Sequence, residues 1–344
     1  MTHALVTGAS GFIGRHLIRA LAEQGHSVAA LSRRPIEGFP VRTGIVWFQG
    51  DVTDADSLQR AAKGADVVFH LAAVVGGQGA TPEVQERVGV EGTENVAEAA
   101  FRAGVNRMVH MSSTAVYAPQ SGCSVTTEES PLVEDLDAAH PYVRQKVLAE
   151  YAAWRADTVG KLQVTCIRPP MVIGTGDRNL LSLLGGIFTA TSGEVVQDSW
   201  ARVPIVVVDE LVRGLIAASD SPASAHRAYN LASTSPITKS ELRQAFAVAG
   251  FVPRPSLKKR APVIAASCIL QFAELPFRLA GSAKPTPPTR LASRVLALRL
   301  SPPLRDQLVL SARAHADFGW LGTGDYREAA KKAVKWSNEG ERWE

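Results

Sequence analysis

The chain has 344 residues, 46% apolar and 20% charged, the balance of a globular protein and enough for one large or two modest domains with a sizeable core. Its three cysteines, Cys123, Cys166 and Cys268, are scattered without metal-ligand spacing, which excludes a disulfide framework and a cysteine-built metal site and points to a reducing cytoplasm. The net charge of +4 divides into +8 from residue 251 onward and −4 before it; such a basic third is more often a solvated face than a surface for an acidic substrate or a membrane, and no nucleic-acid partner is expected.

Ala4-Leu5-Val6 predicts a short buried strand, preceded by neither a basic leader nor a signal-like apolar core, which again fits a cytoplasmic location. Thr7-Gly8-Ala9-Ser10-Gly11-Phe12-Ile13-Gly14 then turns into a helix with Phe12, Ile13, Leu17, Ile18 and Leu21 on its apolar side. Glycines let such a turn tighten and approach a ligand. The helix start offers N–H groups and a positive dipole end suited to a pyrophosphate. The Gly8, Gly11, Gly14 spacing is one residue wider at its first interval than the general G-x-G-x-x-G fingerprint. A plain strand–helix turn is the alternative. The strand–turn–helix context favours a dinucleotide, held by Gly8, Ser10, Gly11, Phe12 and Ile13.

Ser27 to Leu31 is the second strand, and Ser32-Arg33-Arg34 follow it. An NAD site usually places an acid there. Here no carboxylate repels a 2′-phosphate and two guanidiniums are available to pair with one, so NADP(H) is the expected cofactor; a solvated basic turn is the alternative. Ile45 to Phe48 is the third strand, followed by Asp51-Val52 and by Asp54, placed to cap a helix through Leu58 to Ala62. Asp66 to His70 is the fourth strand and ends in Leu71-Ala72-Ala73. One helix is predicted from Thr81 to Ala103, stopped by Gly104. Arg107 to Met111 is the fifth strand and delivers Ser112-Ser113-Thr114; a helix from Pro141 through Trp154 and a sixth strand over Leu162 to Ile167 follow. This rhythm predicts an α/β fold, a Rossmann-type doubly wound parallel sheet with ligands at the strands' C-terminal ends.

After Pro169-Pro170 the rhythm breaks. Val203 to Val208 is strand-like, Asp209 to Ser219 helical, Tyr229 to Leu231 a short strand, and Thr238 opens a helix through Val248. Residues 284–290 form a proline-rich connector, 291–300 a Leu/Arg helix candidate, and Asp325 to Trp336 a last helix. The division expected is an NADP-binding domain over 1–170 plus about 207–231, and a smaller, mostly helical C-terminal substrate-binding domain over about 171–206 and 232–344. Ala261 to Ala273 is apolar, but Glu274, Pro276 and Arg278 interrupt it before it could span a bilayer. A pocket-covering helix over 261–280 is the preferred reading, contact with a membrane the lesser one.

Tyr142 and Lys146 stand four apart on one helix face. An ammonium beside a phenol lowers the phenol's pKa and makes it an acid–base group. Ser113, at the end of its strand, is placed to hold a substrate oxygen, with Thr114 as a helper. A surface helix with an amphipathic Tyr and a snorkelling Lys is the alternative.

Together these residues resemble the extended short-chain dehydrogenases/reductases. Thr7 to Gly14 is similar to that family's T-G-x-x-G-x-x-G turn, Asp51-Val52 to its adenine-contacting pair, His70 to Ala73 to its fourth-strand signature, and Ser113, Tyr142 and Lys146 to its catalytic trio. Arg168-Pro169-Pro170 resembles the Arg-Pro stretch beside the nicotinamide, and Val208-Asp209 the Val-Asp before a late helix. Leu310-Ser311, Ala316 to Trp320 and Tyr326 to Trp336 resemble the ending of the 3β-hydroxysteroid dehydrogenase-like branch. The resemblance implies that Leu71, Ala72, Ala73, Tyr142, Lys146 and Pro169 also contact the cofactor, that Arg33 and Arg34 bind the 2′-phosphate, and that Val75, Thr114 and Met171 border the substrate. Two positions depart from the pattern: Gly89 stands where the family usually has Asn, and Ala118 where it has Gly.

The expected activity is an NADP(H)-dependent interconversion of a ketone and a secondary alcohol on an apolar small molecule, with no metal. The alternatives are a nucleotide-sugar epimerase with tightly held NAD and a non-catalytic NADP sensor. A sugar dehydratase fits less well, because Ser112-Ser113-Thr114-Ala115 replaces the Thr-Asp-Glu those enzymes resemble. A homodimer is compatible with the sequence and not required by it.

Overall fold

The structure is a computed structural model, and the residues described are 1–34, 44–74, 81–119, 124–158, 162–177, 201–251 and 306–339. Val75, Cys123, Cys268, the apolar stretch 261–280, the connector 284–290 and the helix candidate 291–300 lie outside them.

Seven parallel strands form the central sheet: β1 (His3–Thr7), β2 (Ser27–Ser32), β3 (Ile45–Gln49), β4 (Val67–His70), β5 (Arg107–Met111), β7 (Gln163–Arg168) and β11 (Arg227–Asn230), in the order β3-β2-β1-β4-β5-β7-β11. The central strands read as near-continuous apolar runs because helices cover both faces. Ala4, Leu5 and Val6 of β1 are fully buried, and they alternate between two cores. Ala4 and Val6 face a cluster with Leu17, Ile18 and Leu21 of α1 (Phe12–Glu23) and Leu211, Val212 and Leu215 of α6 (Val208–Asp220). Leu5 faces a cluster with Leu58 of α2 (Ala55–Ala62), Val96 and Ala100 of α4 (Gly92–Arg102), and Ala153 of α5 (Pro141–Thr158). Full burial of a Leu or Ile contributes about 1.5–3 kcal/mol, so the stripe on α1 is enough to seat that helix.

The chain runs outward from β1 to β2 and β3, then crosses back to β4 on the other side of β1. The order therefore reverses between β1 and β4, and a crevice opens beyond their C-terminal ends.

The long helix expected over 81–103 is three pieces. Thr81 caps α3 (Pro82–Glu86), a π-turn spans Arg87–Glu91, and α4 follows to Arg102. The single strand expected over Val203 to Val208 is split by Pro204, which has no N–H to continue a ladder. Arg202–Val203 (β9) pairs antiparallel with β12 (Ile237–Thr238), whereas Ile205–Val207 (β10) pairs in parallel with β8 (Met171–Ile173). A separate apolar cluster joins Ile173, Val203, Ile205 and Ile237 to Leu242 and Phe246 of α7 (Lys239–Val248) and Ala330 and Val334 of α9 (Tyr326–Asn338). Thr238 and Glu241 close a capping box on α7, and Asp325 caps α9. Among the elements not anticipated are α8 (Ala312–Phe318) and the parallel pair of β6 (Ser124–Thr126) with β13 (Gln307–Val309). Each of those strands is only three residues long, too short for a two-residue period to show. No helix among the described residues is long and apolar enough to cross a membrane.

Candidate active site

The turn after β1 is shaped by lack of side chain. Gly8 has φ +68°, the left-handed region, and a Cβ on it would stand 2.8 Å from the Ala72 nitrogen. A Cβ on Gly14 would stand 2.2 Å from the Gly8 carbonyl oxygen, so α1 sits directly on the turn. The Gly11 N–H donates to the Gly8 carbonyl at 2.9 Å. Gly11 caps α1 without a side-chain acceptor, and no acid stands in the first turn. The helix start is thus open to an anion. Ser10 is exposed beside it, with Phe12 and Ile13 half-buried.

Leu71, Ala72 and Ala73 are half-buried where β4 ends. The Leu71 N–H donates to the Thr7 carbonyl at 3.3 Å, which brings this signature against the turn. Arg33 and Arg34 are exposed just past β2, and the Ser32 hydroxyl donates to the Arg34 carbonyl at 2.7 Å. Asp51 Oδ1 accepts the Thr53 N–H at 2.9 Å and its hydroxyl at 2.8 Å. Val52 is buried, and its carbonyl accepts Asn95 Nδ2 at 3.1 Å. Thr114 donates its N–H to the Pro169 carbonyl at 3.0 Å, and Met171 opens β8 just beyond. A dinucleotide fits this edge: the uncapped helix start and the cradle at Gly8 would hold its phosphates.

Ser113 and Tyr142 come together. A hydrogen bond from Ser113 pulls the phenol's pKa down, but burial outweighs it and the net shift is upward. Lys146 stands one turn beyond Tyr142 on α5. It lies 6% exposed and donates from Nζ to the Met111 carbonyl at 2.8 Å. Burial pulls its own pKa down to about 8, with Glu150 pulling the other way. The Ser113 Oγ accepts the Ala115 N–H at 3.1 Å, which leaves its proton for another acceptor.

Behind the trio lies a polar belt that the sequence reading missed. Glu150 is fully buried one turn beyond Lys146. It accepts the Ser112 hydroxyl at 2.5 Å and Trp154 Nε1 at 3.1 Å, and pairs with Arg168 through both Nε and Nη2. Arg168 Nη1 donates to the Tyr117 hydroxyl at 3.0 Å, and that hydroxyl donates to Asn230 Oδ1 at 2.8 Å. The belt holds Ser113 from both neighbours, through Ser112 to α5 and through Thr114 to the residue after Arg168. The available signal was one acid among Val147, Ala149 and Ala153, and one base ending an apolar strand; charges in buried runs are paired.

Residues 4–232 match the NAD dependent epimerase/dehydratase family. A 3 beta-hydroxysteroid dehydrogenase/Delta 5→4-isomerase of Mycobacterium tuberculosis is 33% identical over 222 residues, covering 62% of this chain and 59% of the relative. The match therefore spans less than two thirds of that relative's length. A 2-alkyl-3-oxoalkanoate reductase of Stenotrophomonas maltophilia is 30% identical over 256 residues, covering 73% of this chain and 76% of the relative. Among solved structures, that of gox2253 superposes with a TM-score of 0.76 over 100% of both chains at 22% identity, a likeness of fold. With the turn, the sheet order and the Ser113–Tyr142–Lys146 edge all in place, the chain belongs to the NAD dependent epimerase/dehydratase family of extended short-chain dehydrogenases/reductases.

Proposed function

We propose that this chain is an NADP(H)-dependent oxidoreductase that interconverts a ketone and a secondary alcohol on an apolar small molecule. The observation that carries it is the convergence of Ser113, Tyr142 and Lys146 at the C-terminal edge of the sheet, beside a turn that fits a dinucleotide. The two curated relatives are named for work on a steroid and on an alkyl oxoalkanoate, both apolar carbon skeletons bearing such an oxygen. The exposed Arg33 and Arg34, with no acid at Ser32, support NADP(H) over NAD.

When bound, a reduced nicotinamide supplies a hydride for a carbonyl carbon. The chain's own residues handle the oxygen. Tyr142, its pKa raised, keeps its proton at neutral pH and donates it to the carbonyl oxygen. Ser113 donates a second hydrogen bond to the same oxygen. Lys146 spends one N–H on Met111 and has further donors for the ribose. Arg33 and Arg34 would hold the 2′-phosphate, and the start of α1 the pyrophosphate.

The test is steady-state reduction of a panel of apolar ketones by NADPH and NADH, with Tyr142→Phe beside the wild type. Turnover should fall by about 2–4 orders of magnitude in the variant, with fold and cofactor binding retained. Retention of most activity by Tyr142→Phe would falsify the assignment. Nicotinamide absorbance that stays with the purified protein, together with tight binding of a nucleotide sugar and none of an apolar ketone, would instead favour the epimerase.

A further inference from the structure

His70 ends β4 as the register partner of Thr7, the last residue before the glycine turn. The ring is buried, and both nitrogens meet hydroxyls: Nδ1 lies 2.8 Å from Thr7 Oγ1 and Nε2 lies 2.9 Å from Thr93 Oγ1. The direction of these bonds follows from one further contact. Thr93 Oγ1 donates its single proton to the Gly89 carbonyl at 2.5 Å, so it can only accept from His70. Nε2 therefore carries the hydrogen, Nδ1 accepts, and Thr7 donates to it. Thr7 Oγ1 in turn accepts the Ala72 N–H at 3.4 Å. A one-way chain of hydrogen bonds thus runs from Ala72 through Thr7, His70 and Thr93 to Gly89. It ties together the glycine turn, the end of β4 and the π-turn before α4.

We propose that His70, locked as its neutral Nε2–H tautomer, is a positioning residue that sets the shape of the dinucleotide-binding turn through Thr7 and Thr93. The inference rests on the dinucleotide reading above. Its logic is geometric: Gly8 has left-handed backbone and Ala72 at its flank, so a small shift of Thr7 or Ala72 alters the cradle. A charged imidazolium would have two N–H groups and could not accept from Thr7. The groups facing the ring disfavour that charge. His110, its register partner on β5, stands 5.4 Å away between ring centres, and Lys146 faces it from α5; Thr7 and Thr93 face it from β1 and α4. His110 itself has no hydrogen-bond partner for either nitrogen among the described residues, so it offers no competing bond.

The experiment uses the whole chain, with imidazole ¹⁵N shifts and calorimetric titration of NADPH and NADH. The expected result is a pyridine-like Nδ1 and a pyrrole-like Nε2 for His70, unchanged from neutral pH down to the onset of acid unfolding. Thr93→Val, nearly isosteric, should lose the locked tautomer and weaken dinucleotide binding about tenfold, and Thr93→Ser should restore both. His70→Phe should weaken binding at least as much; should it fail to fold, Thr93→Val alone decides. An Nδ1–H tautomer in the wild type, or wild-type affinity in Thr93→Val, overturns the proposal. A wild type that binds neither dinucleotide overturns the underlying reading and the proposal with it, and is told apart because the Nε2–H tautomer is then present without binding.

Discussion

Gly89 and Gln145 share one space. A Cβ on Gly89 would stand 2.5 Å from both Cγ and Nε2 of Gln145, which is 1% exposed. The position where the family usually has Asn is therefore filled from the facing helix α5. Gln145 lies directly before Lys146, and its amide has no partner among the described residues. Gly89→Ala should overpack this contact and lower stability by about 1–3 kcal/mol. Gly89→Ala with Gln145→Ala should recover much of that loss, because the methyl then has room. Urea unfolding of the two singles and the double gives the coupling; simple additivity would show that the two residues do not compete.

Glu150 and Arg168 form a buried pair, and breaking one side leaves a charge without water. Glu150→Gln should cost about 3–5 kcal/mol. Replacing both with apolar residues of similar volume should cost much less, since the desolvation of both charges disappears together. Chemical denaturation of the single and double variants checks this, and equal losses in the two would contradict it.

His110 makes the fold sensitive to acid. Burial, helped by the charge on Lys146, pulls its pKa from 6.5 to about 3. Below 6.5 the unfolded chain binds a proton that the folded chain refuses until about 3, so stability is complete above that window and falls as pH drops through it. One such proton is worth about 1.4 kcal/mol per pH unit. His70 is shifted in the same direction. His110→Phe should flatten the fall of the urea midpoint with acid by close to one proton, and an unchanged slope would refute the assignment.

Arg33 and Arg34 should decide between the two dinucleotides. A bidentate Arg–phosphate contact contributes about 1.5–3 kcal/mol, roughly a tenfold to hundredfold preference. Arg33→Ala should raise KM for NADPH by that factor and leave KM for NADH nearly unchanged. Added salt should mimic the change weakly, because the pair is exposed. Equal use of both dinucleotides by the wild type would reduce the two arginines to a solvated turn.

The sheet was legible because its strands are buried on both faces and its helices carry apolar stripes, as Ala4 to Val6 and Leu17 to Leu21 illustrate. The site was legible where chemistry needs a fixed spacing, as for Gly8 to Gly14 and Tyr142 with Lys146. What spacing could not tell was where a flexible head group goes. Lys146 turns to Met111, and burial governs Tyr142. The belt from Glu150 to Asn230 joins residues distant in sequence, so no local pattern announces it. Pro204 was visible in the sequence, yet the sorting of its two flanks into different sheets depends on partners at Met171 and Ile237.

The pairing of β6 with β13 has a consequence for synthesis. Asn230 Nδ2 closes onto the Leu310 carbonyl across 80 residues, and Glu129 closes onto Arg313 across 184. Loop closure grows only logarithmically, so lengthening a loop between those two sizes costs about 0.7 kcal/mol. The delay matters more than the energy. At about 5–20 residues per second, a ribosome needs on the order of 10–40 s to bring Arg313 out after Glu129. For that interval Ser124–Thr126 is an unpaired strand edge, and in its later part, once β11 has emerged, it is so on a chain whose parallel sheet is already able to form. A nascent chain stalled in this window should be the species most readily captured by chaperones.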